Sequence, residues 1–194
     1  MKKLLITGFE PFGGEKINPS YEAVRLLPKE IGEYGIAKLC VPVVFGKAAE
    51  TVMREAERIN PDVILCIGQA GGRNAITPEL VGINLRNADI PDNEGARPCD
   101  EPIIENGIAA YFSTVPVRKI ANAINAAGIL SKVSYSAGAY VCNDLIYTLL
   151  ARYENSNTRV GFIHVPYSEE QGKDPSMPLS EIVRALTVAI ENLD

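Results

Sequence analysis

Short apolar runs alternate along the chain with longer stretches in which apolar residues recur every three or four positions. This alternation is typical of β-strands joined by helical crossovers. It predicts an α/β fold, a three-layer α/β/α sandwich with a largely parallel or mixed central sheet. The predicted strands lie at residues 3–7, 36–43, 62–67, 80–85, 131–135 and 159–165, and the predicted helices at residues 19–28, 46–59, 116–127, 140–153 and 179–192.

Two features of this pattern indicate where a site would lie. Ligands of open α/β sheets bind at the carboxyl ends of the strands. The stretch 86–110 is rich in Pro, Asp, Asn and Gly and fits neither a strand nor a helix. Loops of this length in compact domains tend to be functional or mobile. We therefore expect functional residues at strand ends and beside this loop.

Length and charge narrow the range of functions. The 194 residues fit one domain of ordinary size, so residues 1–194 are expected to form a single domain. A formal net charge of −5 argues against nucleic acid as a partner. No apolar run reaches the roughly 20 residues of a membrane helix, so no membrane partner is expected. Gly8, Glu10 and Pro11 interrupt the apolar stretch after the basic start, which argues against a signal peptide and favours a cytoplasmic protein.

The cysteines differ in their surroundings. There is no C-x-x-C pair and only one histidine, so no metal site of cysteines and histidines is expected. Cys40 and Cys66 lie in predicted strands and are expected to be buried packing residues. Cys99 precedes Asp100 and Glu101, whose negative charges would raise the pKa of its thiol and argue against activation.

Cys142 opens the predicted helix at 140–153, after the small residues 137–139. A cysteine attacks as the thiolate, which a helix N-terminus and a nearby imidazole stabilise. The N–H groups of the first helical turn could also stabilise an oxyanion. Because free cysteines are often inert and buried, the local sequence leaves both a nucleophile and a packing residue open.

His164 is the only histidine, and it ends the apolar strand 159–165 just before Pro166. A lone histidine is more often structural than catalytic. However, the strand 131–135 that precedes Cys142 is expected to end at the same edge of the sheet. His164 is then the only imidazole available as a base for that thiol.

A third group would orient the imidazole, as in other catalytic triads. Asp144 follows Cys142 by two helical positions, so we expect it to point elsewhere and to be solvated. Glu79 is the better candidate, because it follows the strand 62–67 and the turn after it. A glutamate beside a proline in a loop is otherwise an ordinary surface residue.

A nucleotide-binding α/β domain is the main alternative of another class, because glycine-rich turns follow the first and third predicted strands. The details argue against it. The stretch GFEPFGGEK lacks the G-K-[ST] ending of a phosphate-binding loop, and GQAGGR lacks the G-x-G-x-x-G order.

Six stretches carry a resemblance to a known family: TGFEPFGG at 7–14, NPS at 18–20, GQAGGRNAITPELVGIN at 68–84, IPDNEG at 90–95, SAGAYVCN at 136–143 and GFIHVPY at 161–167. Along nearly its whole length the chain resembles the type I pyroglutamyl peptidases. The resemblance implies a catalytic set of Glu79, Cys142 and His164. It also implies hydrolysis of the amide bond after an N-terminal pyroglutamyl residue of peptides through a thioester, no cofactor, and assembly as a homotetramer.

The same resemblance implies a substrate pocket. Phe9 and Phe12 would clamp the lactam ring, while Asn18 and Gln69 shape the pocket and Ile90 and Tyr140 lie nearby. The alternative for the two phenylalanines is ordinary core packing under a loop.

One position departs from the family pattern. Many members read DARIPDN where this chain reads NADIPDN, so Asp89 replaces an arginine near the oxyanion region. If that arginine acts through its side chain, activity would be weaker or Arg86 or Arg73 would compensate. The departure also leaves open a non-catalytic relative that binds pyroglutamyl peptides.

Overall fold

The computed structural model describes residues 1–194. Its strands are β1 (Lys2–Phe9), β2 (Glu30–Ile31), β3 (Tyr34–Val41), β4 (Val63–Gln69), β5 (Thr77–Pro78), β6 (Val81–Ile83), β7 (Ala110–Phe112), β8 (Arg159–Val165), β9 (Tyr167–Ser168) and β10 (Ser176–Met177). Its α-helices are α1 (Pro19–Leu26), α2 (Lys47–Ile59), α3 (Val117–Ala126), α4 (Val141–Arg152) and α5 (Leu179–Glu191), and a 3₁₀ turn spans Glu169–Gln171. No helix is long and apolar enough to cross a membrane.

A six-stranded mixed sheet forms the middle layer, in the order β2-β3-β1-β4-β8-β5. The four central strands β3, β1, β4 and β8 are parallel, while β2 and β5 run antiparallel to their neighbours. Helices α1, α3 and α5 cover one face and α2 and α4 cover the other. The residues of β4 from Val63 to Gly68 are all buried, as expected for a strand covered on both faces. The predicted three-layer α/β/α fold is confirmed.

The strand predicted at 131–135 was wrong in extent and in direction. Only Ser131 and Ser134 form bridges there, with Ile76 and Glu79, and both bridges are parallel. Because Pro78 has no N–H, it cannot donate the ladder hydrogen bond between them. The partner strand β5 is antiparallel to β8, so this segment runs away from the carboxyl end of β8 rather than toward it. Residues 135–140 then lead the chain into α4.

Two other predictions, one about a cysteine and one about a strand, were partly wrong. Cys66 is buried as expected, but Cys40 is exposed, because β3 lies next to the two-residue strand β2 and its faces are only partly covered. The strand predicted at 80–85 is reduced to β6, which pairs with β7 in a separate sheet of two strands.

The long loop after β6 is held by buried polar contacts. Oδ1 of Asp92 accepts hydrogen bonds from the N–H groups of Glu94 and Ala96, and its Oδ2 accepts one from Phe45. The Asn93 side chain donates to Glu10 in the loop after β1. These bonds fix the loop beside the carboxyl ends of β1 and β3.

Candidate active site

Glu79 and His164 form a buried pair at the carboxyl end of β8. Thr77 is paired with His164 across the sheet, and the backbone N–H of Glu79 donates to the carbonyl of Phe162. This register directs the Glu79 carboxylate to the imidazole, with 2.7 Å between Glu79 Oε1 and His164 Nδ1. Both side chains are buried. Glu79 thus reaches His164 from an edge strand rather than from the surface loop in which the sequence pattern located it.

Cys142 lies in the first turn of α4 and is partly buried. Its Sγ is 3.0 Å from the point that a Cβ on Gly68 would occupy. Gly68 is paired with His164 in the parallel register of β4 and β8, so the two residues face the same side of the sheet. The fold therefore brings the thiol and the imidazole over adjacent positions of neighbouring strands, which lie about 4.8 Å apart.

Gly68 leaves the space that the sulfur occupies. A Cβ there would also lie 2.7 Å from Cζ of the buried Phe162 ring. We expect Gly68→Ala to lower the free energy of unfolding by about 1–3 kcal/mol through overpacking, and to lower the melting temperature by several degrees. Thermal denaturation measures this change. Gly35→Ala in β3 is the matched control, because its Cβ would meet only the flexible Met1 side chain, at 3.2 Å, and should change little. Equal melting temperatures for both variants would contradict the prediction.

The Glu79 carboxylate is ionised despite its burial. Burial alone would raise its pKa, but the hydrogen bonds to His164 and Arg73 and the nearby Ser134 hydroxyl keep the pKa below its usual value. The Arg73 guanidinium lies 2.7 Å from Glu79 Oε1, the same oxygen that contacts His164. The Arg73 guanidinium therefore compensates the negative charge of Glu79, while the imidazole contributes a second hydrogen bond.

Burial makes the thiol and the imidazole a neutral pair in the free protein. It lowers the pKa of His164, although Glu79 acts in the opposite direction. It also raises the pKa of the Cys142 thiol to about 12, and the charge of Glu79 adds to this effect. The resting site thus holds a neutral thiol, a neutral imidazole and an ionised carboxylate.

The expectation that Asp144 is solvated was wrong. This residue does point away from Cys142, but it is fully buried rather than solvated. Its Oδ1 is 2.6 Å from Arg86 Nε, and its Oδ2 accepts a hydrogen bond from the N–H of Gly46. The ion pair joins α4 to the loop after β6, and the hydrogen bond from Gly46 joins α4 to the start of α2. Arg86 is therefore occupied in a structural contact.

A small, partly enclosed pocket lies beside the thiol at this end of the sheet. Its lining includes five of the six pocket residues expected from sequence, together with Cys142 and two valines: Phe9, Phe12, Asn18, Val43, Gln69, Tyr140, Val141 and Cys142. Ile90 is not part of this lining and is 46% exposed. Nothing in the local sequence distinguished Val43 and Val141 from core residues.

Aromatic rings and fixed polar groups give this pocket its shape. The Tyr140 ring lies 6.3 Å from that of Phe12 and packs edge-on against Phe45 at 5.4 Å. Its hydroxyl donates to the carbonyl of Pro91, which fixes the long loop at the pocket. Asn18 caps α1 through the N–H of Ser20, so its side chain has the structural role that its position predicts.

Asp89 lies on the same loop and is exposed. The neighbouring N–H of Asn87 donates to the carbonyl of Ala139, just before α4. The residue that replaces the family's arginine is therefore on a segment attached to the chain that leads to Cys142. Of the two arginines considered as substitutes, Arg86 is paired with Asp144 and Arg73 with Glu79.

The fold and the site place this chain in a broad class of proteins. These are α/β/α proteins in which a thiol, an imidazole and a carboxylate are grouped beside an apolar pocket at one end of a mixed sheet. Comparison with known proteins narrows this class. The family profile described as pyroglutamyl peptidase matches residues 2–194. The chain belongs to the pyroglutamyl peptidase family.

Individual relatives agree over almost the whole chain. A pyrrolidone-carboxylate peptidase of Lactobacillus helveticus is 48% identical over 194 residues, which cover 97% of each protein. Among solved structures, pyroglutamyl peptidase I of Bacillus amyloliquefaciens superposes with a TM-score of 0.95 at 46% identity, covering 100% of this chain and 97% of that one. The pyrrolidone carboxyl peptidase of Thermococcus litoralis has the same TM-score at 36% identity, with 100% and 93% coverage.

Proposed function

We propose that this protein is a cysteine peptidase that hydrolyses the amide bond after an N-terminal pyroglutamyl residue of peptides. The observation that carries the proposal is the grouping of Cys142, His164 and Glu79 beside one small apolar pocket, in a chain of the pyroglutamyl peptidase family. The relatives' names support the substrate. Residues 1–194 would act as a single catalytic domain. Cytoplasmic location and tetramer formation stay predictions.

In the proposed reaction, Cys142 Sγ attacks the carbonyl carbon of the pyroglutamyl residue while His164 takes the thiol proton through Nε2. His164 then gives this proton to the leaving amine nitrogen as the carbon–nitrogen bond breaks, and a thioester remains. Water attacks the thioester with His164 again as the base, and the proton returns to the sulfur. Glu79 holds Nδ1–H, so it fixes the tautomer that leaves Nε2 free and stabilises the imidazolium.

The start of α4 supplies backbone N–H groups that can stabilise the negative charge developing on the carbonyl oxygen of the substrate. The N–H groups of Val141 and Cys142 donate no hydrogen bond within the chain. They lie at the positive end of the helix dipole, where an oxyanion is stabilised. This supports attack by Cys142 from within the pocket.

The pocket suits an uncharged five-membered lactam. Its lining is mostly apolar, and no lysine, arginine, aspartate or glutamate contributes to it. Phe9 is buried and Phe12 is partly buried, so Phe12 is the ring with free surface for a ligand. An apolar cavity with few polar groups favours such a ring over the charged side chain of glutamate.

Hydrolysis of a chromogenic pyroglutamyl amide by the purified protein tests the proposal. We expect release from the pyroglutamyl compound and none from the matched glutamyl amide, whose open chain carries a free amino group and a side-chain carboxylate. Failure to release the chromophore would exclude the peptidase. In that case, saturable binding of a pyroglutamyl peptide would favour the non-catalytic relative that Asp89 leaves open.

Phe12→Ala should weaken substrate binding with little effect on folding. Losing the contact of one ring face with the lactam removes about 1.5–3 kcal/mol, which corresponds to a roughly tenfold to hundredfold higher KM. Steady-state kinetics measure the change, and kcat should fall much less. Phe112→Ala is the control, because that ring is 68% exposed in β7 and lines no pocket near Cys142. Wild-type KM in Phe12→Ala would rule out the clamp.

A further inference from the structure

Arg73 makes an unusual number of contacts for a residue in a turn. It lies between β4 and β5, and its side chain is 28% exposed. Nη1 is 2.7 Å from Glu79 Oε1 and 2.7 Å from Thr77 Oγ1. Nη2 donates to the carbonyl of Ser136 at 3.0 Å. One guanidinium therefore joins the edge strand and the segment that leads into α4.

These contacts fix an otherwise loosely held carboxylate. His164 contacts only Oε1 of Glu79, and the buried Oε2 has no hydrogen-bond partner. A carboxylate held at one atom by one donor can turn about its terminal torsion, which has no sharp rotameric preference. Arg73 supplies a second donor to the same oxygen. Because donors to a carboxylate oxygen prefer to lie near the plane of the group, two donors restrict its rotation more than one does.

The bond to Ser136 extends this effect to the thiol. Ser136 lies six residues before Cys142, just beyond the last bridged residue, Ser134. Residues 135–140 make no backbone hydrogen bond to the sheet, so a side-chain donor to Ser136 contributes to the position of this segment. Ser134 in the same segment accepts a longer bond from Arg73 at 3.4 Å.

The turn that carries Arg73 is itself held in place. A Cβ on Gly71 would lie 2.1 Å from the hydroxyl of Tyr167, the residue that begins β9. The Tyr167 side chain thus packs directly against the glycine backbone. The backbone of the turn just before Arg73 is therefore held in place by packing.

We propose that Arg73 is a positioning residue of the active site, which holds the Glu79 carboxylate against His164 and ties it to the segment before Cys142. This inference deepens the proposed function and rests on it for its effect on catalysis. Arg73 itself contacts none of the reacting atoms. Its guanidinium matches this role, because a planar fork donates in two fixed directions where an ammonium cannot.

The charge of Arg73 provides a measurable signature. The charged groups that act on the imidazole are Glu79, directly after β5, and Arg73, in the turn between β4 and β5. The Cys142 thiol of α4 lies over Gly68, the neighbour of His164 on β4, and Cys66 of β4 acts on that thiol. Burial is the main cause of the low pKa of His164, and the positive charge of Arg73 lowers it further. Removing that charge while Glu79 stays ionised should raise the pKa of His164.

The test uses proton NMR, because the only histidine of the chain gives one resolvable set of imidazole signals. We expect Arg73→Gln to raise the pKa of His164 and to lower kcat by about tenfold or more. Losses of this size follow the removal of groups that orient metal-binding residues in other proteins. KM should change less. Arg73→Lys should keep the pKa near the wild-type value but lose part of kcat. Arg118→Gln, an equal change of charge at an exposed arginine bonded to Tyr135, should alter neither quantity.

An unchanged pKa of His164 in Arg73→Gln, or an unchanged kcat, would overturn the proposal. If Arg73→Gln does not fold, Thr77→Val removes one anchor of the guanidinium with little change of shape, and the same shifts are expected in smaller size. The NMR titration needs no substrate. A wild-type protein that hydrolyses nothing would thus reject the proposed peptidase, while the titration alone would still decide whether Arg73 positions the Glu79–His164 pair.

Discussion

Cys142→Ala is expected to abolish hydrolysis of pyroglutamyl amides, with kcat reduced by a factor on the order of 10⁴ to 10⁶. Alanine is tolerated at the start of α4 and leaves the other lining residues of the pocket unchanged, but it removes the only atom that can form the thioester. Because the fold keeps three other cysteines away from this pocket or inside the core, none can replace the lost sulfur. Steady-state and burst kinetics with a chromogenic substrate measure the loss.

The matched controls are Cys40→Ala and Cys99→Ala, which remove exposed thiols outside the pocket. Both should keep wild-type kcat and KM. Iodoacetamide should inactivate these two variants and the wild type alike, since each retains Cys142. Residual turnover near the wild-type rate in Cys142→Ala would show that another group is the nucleophile, even if the substrate assignment is right.

His164→Gln should have nearly as large an effect, again a loss on the order of 10⁴ or more in kcat. Glutamine can still donate a hydrogen bond to Glu79, so the buried carboxylate keeps a partner. It cannot take up a proton at neutral pH. With the pKa of the Cys142 thiol raised to about 12 by burial, no thiolate forms without a base. The thiol would therefore stay protonated and unreactive.

The pH dependence of the wild type provides an independent check on this base. Burial lowers the pKa of His164 below 6.5, so the neutral imidazole predominates at pH 6.5 and above. Only the neutral form can accept the thiol proton, and kcat/KM should fall as the pH drops through that lowered pKa. The acid limb should be absent from His164→Gln. A wild-type midpoint above pH 6.5 would contradict the assignment, and so would normal turnover by folded His164→Gln, with folding judged by thermal denaturation.

Much of the fold could be predicted because local patterns were sufficient. The four parallel strands are nearly continuous apolar runs, and each α-helix lies within two residues of its predicted ends. The site candidates followed from the same patterns. Cys142 opens a helix and His164 ends a strand, and these positions depend only on the residues around them. Glu79 was the better-placed carboxylate because it follows a strand and its turn, and the resemblance to a family agreed with that choice and supplied the pocket residues.

Other features depend on contacts between distant parts of the chain. The direction of the segment before Cys142 follows from its pairing with β5, and Pro78 interrupts that ladder. Asp144 is buried because Arg86, 58 residues away in sequence, supplies the opposite charge. Cys40 is exposed because its strand has only a two-residue neighbour on one side. None of these partners can be identified from the residues adjacent to each position.

The sequence by itself determined the alternation of strands and helices and the identities of one thiol, one imidazole and one carboxylate able to form a site, because periodicity and residue chemistry are local properties. Only the tertiary structure decided that Glu79 reaches His164 from an antiparallel edge strand and that Gly68 leaves room for Cys142. It also decided that Arg73 and His164 contact the same oxygen of the Glu79 carboxylate. These arrangements arise from strand register and from the packing of residues far apart in the chain, which local patterns do not specify.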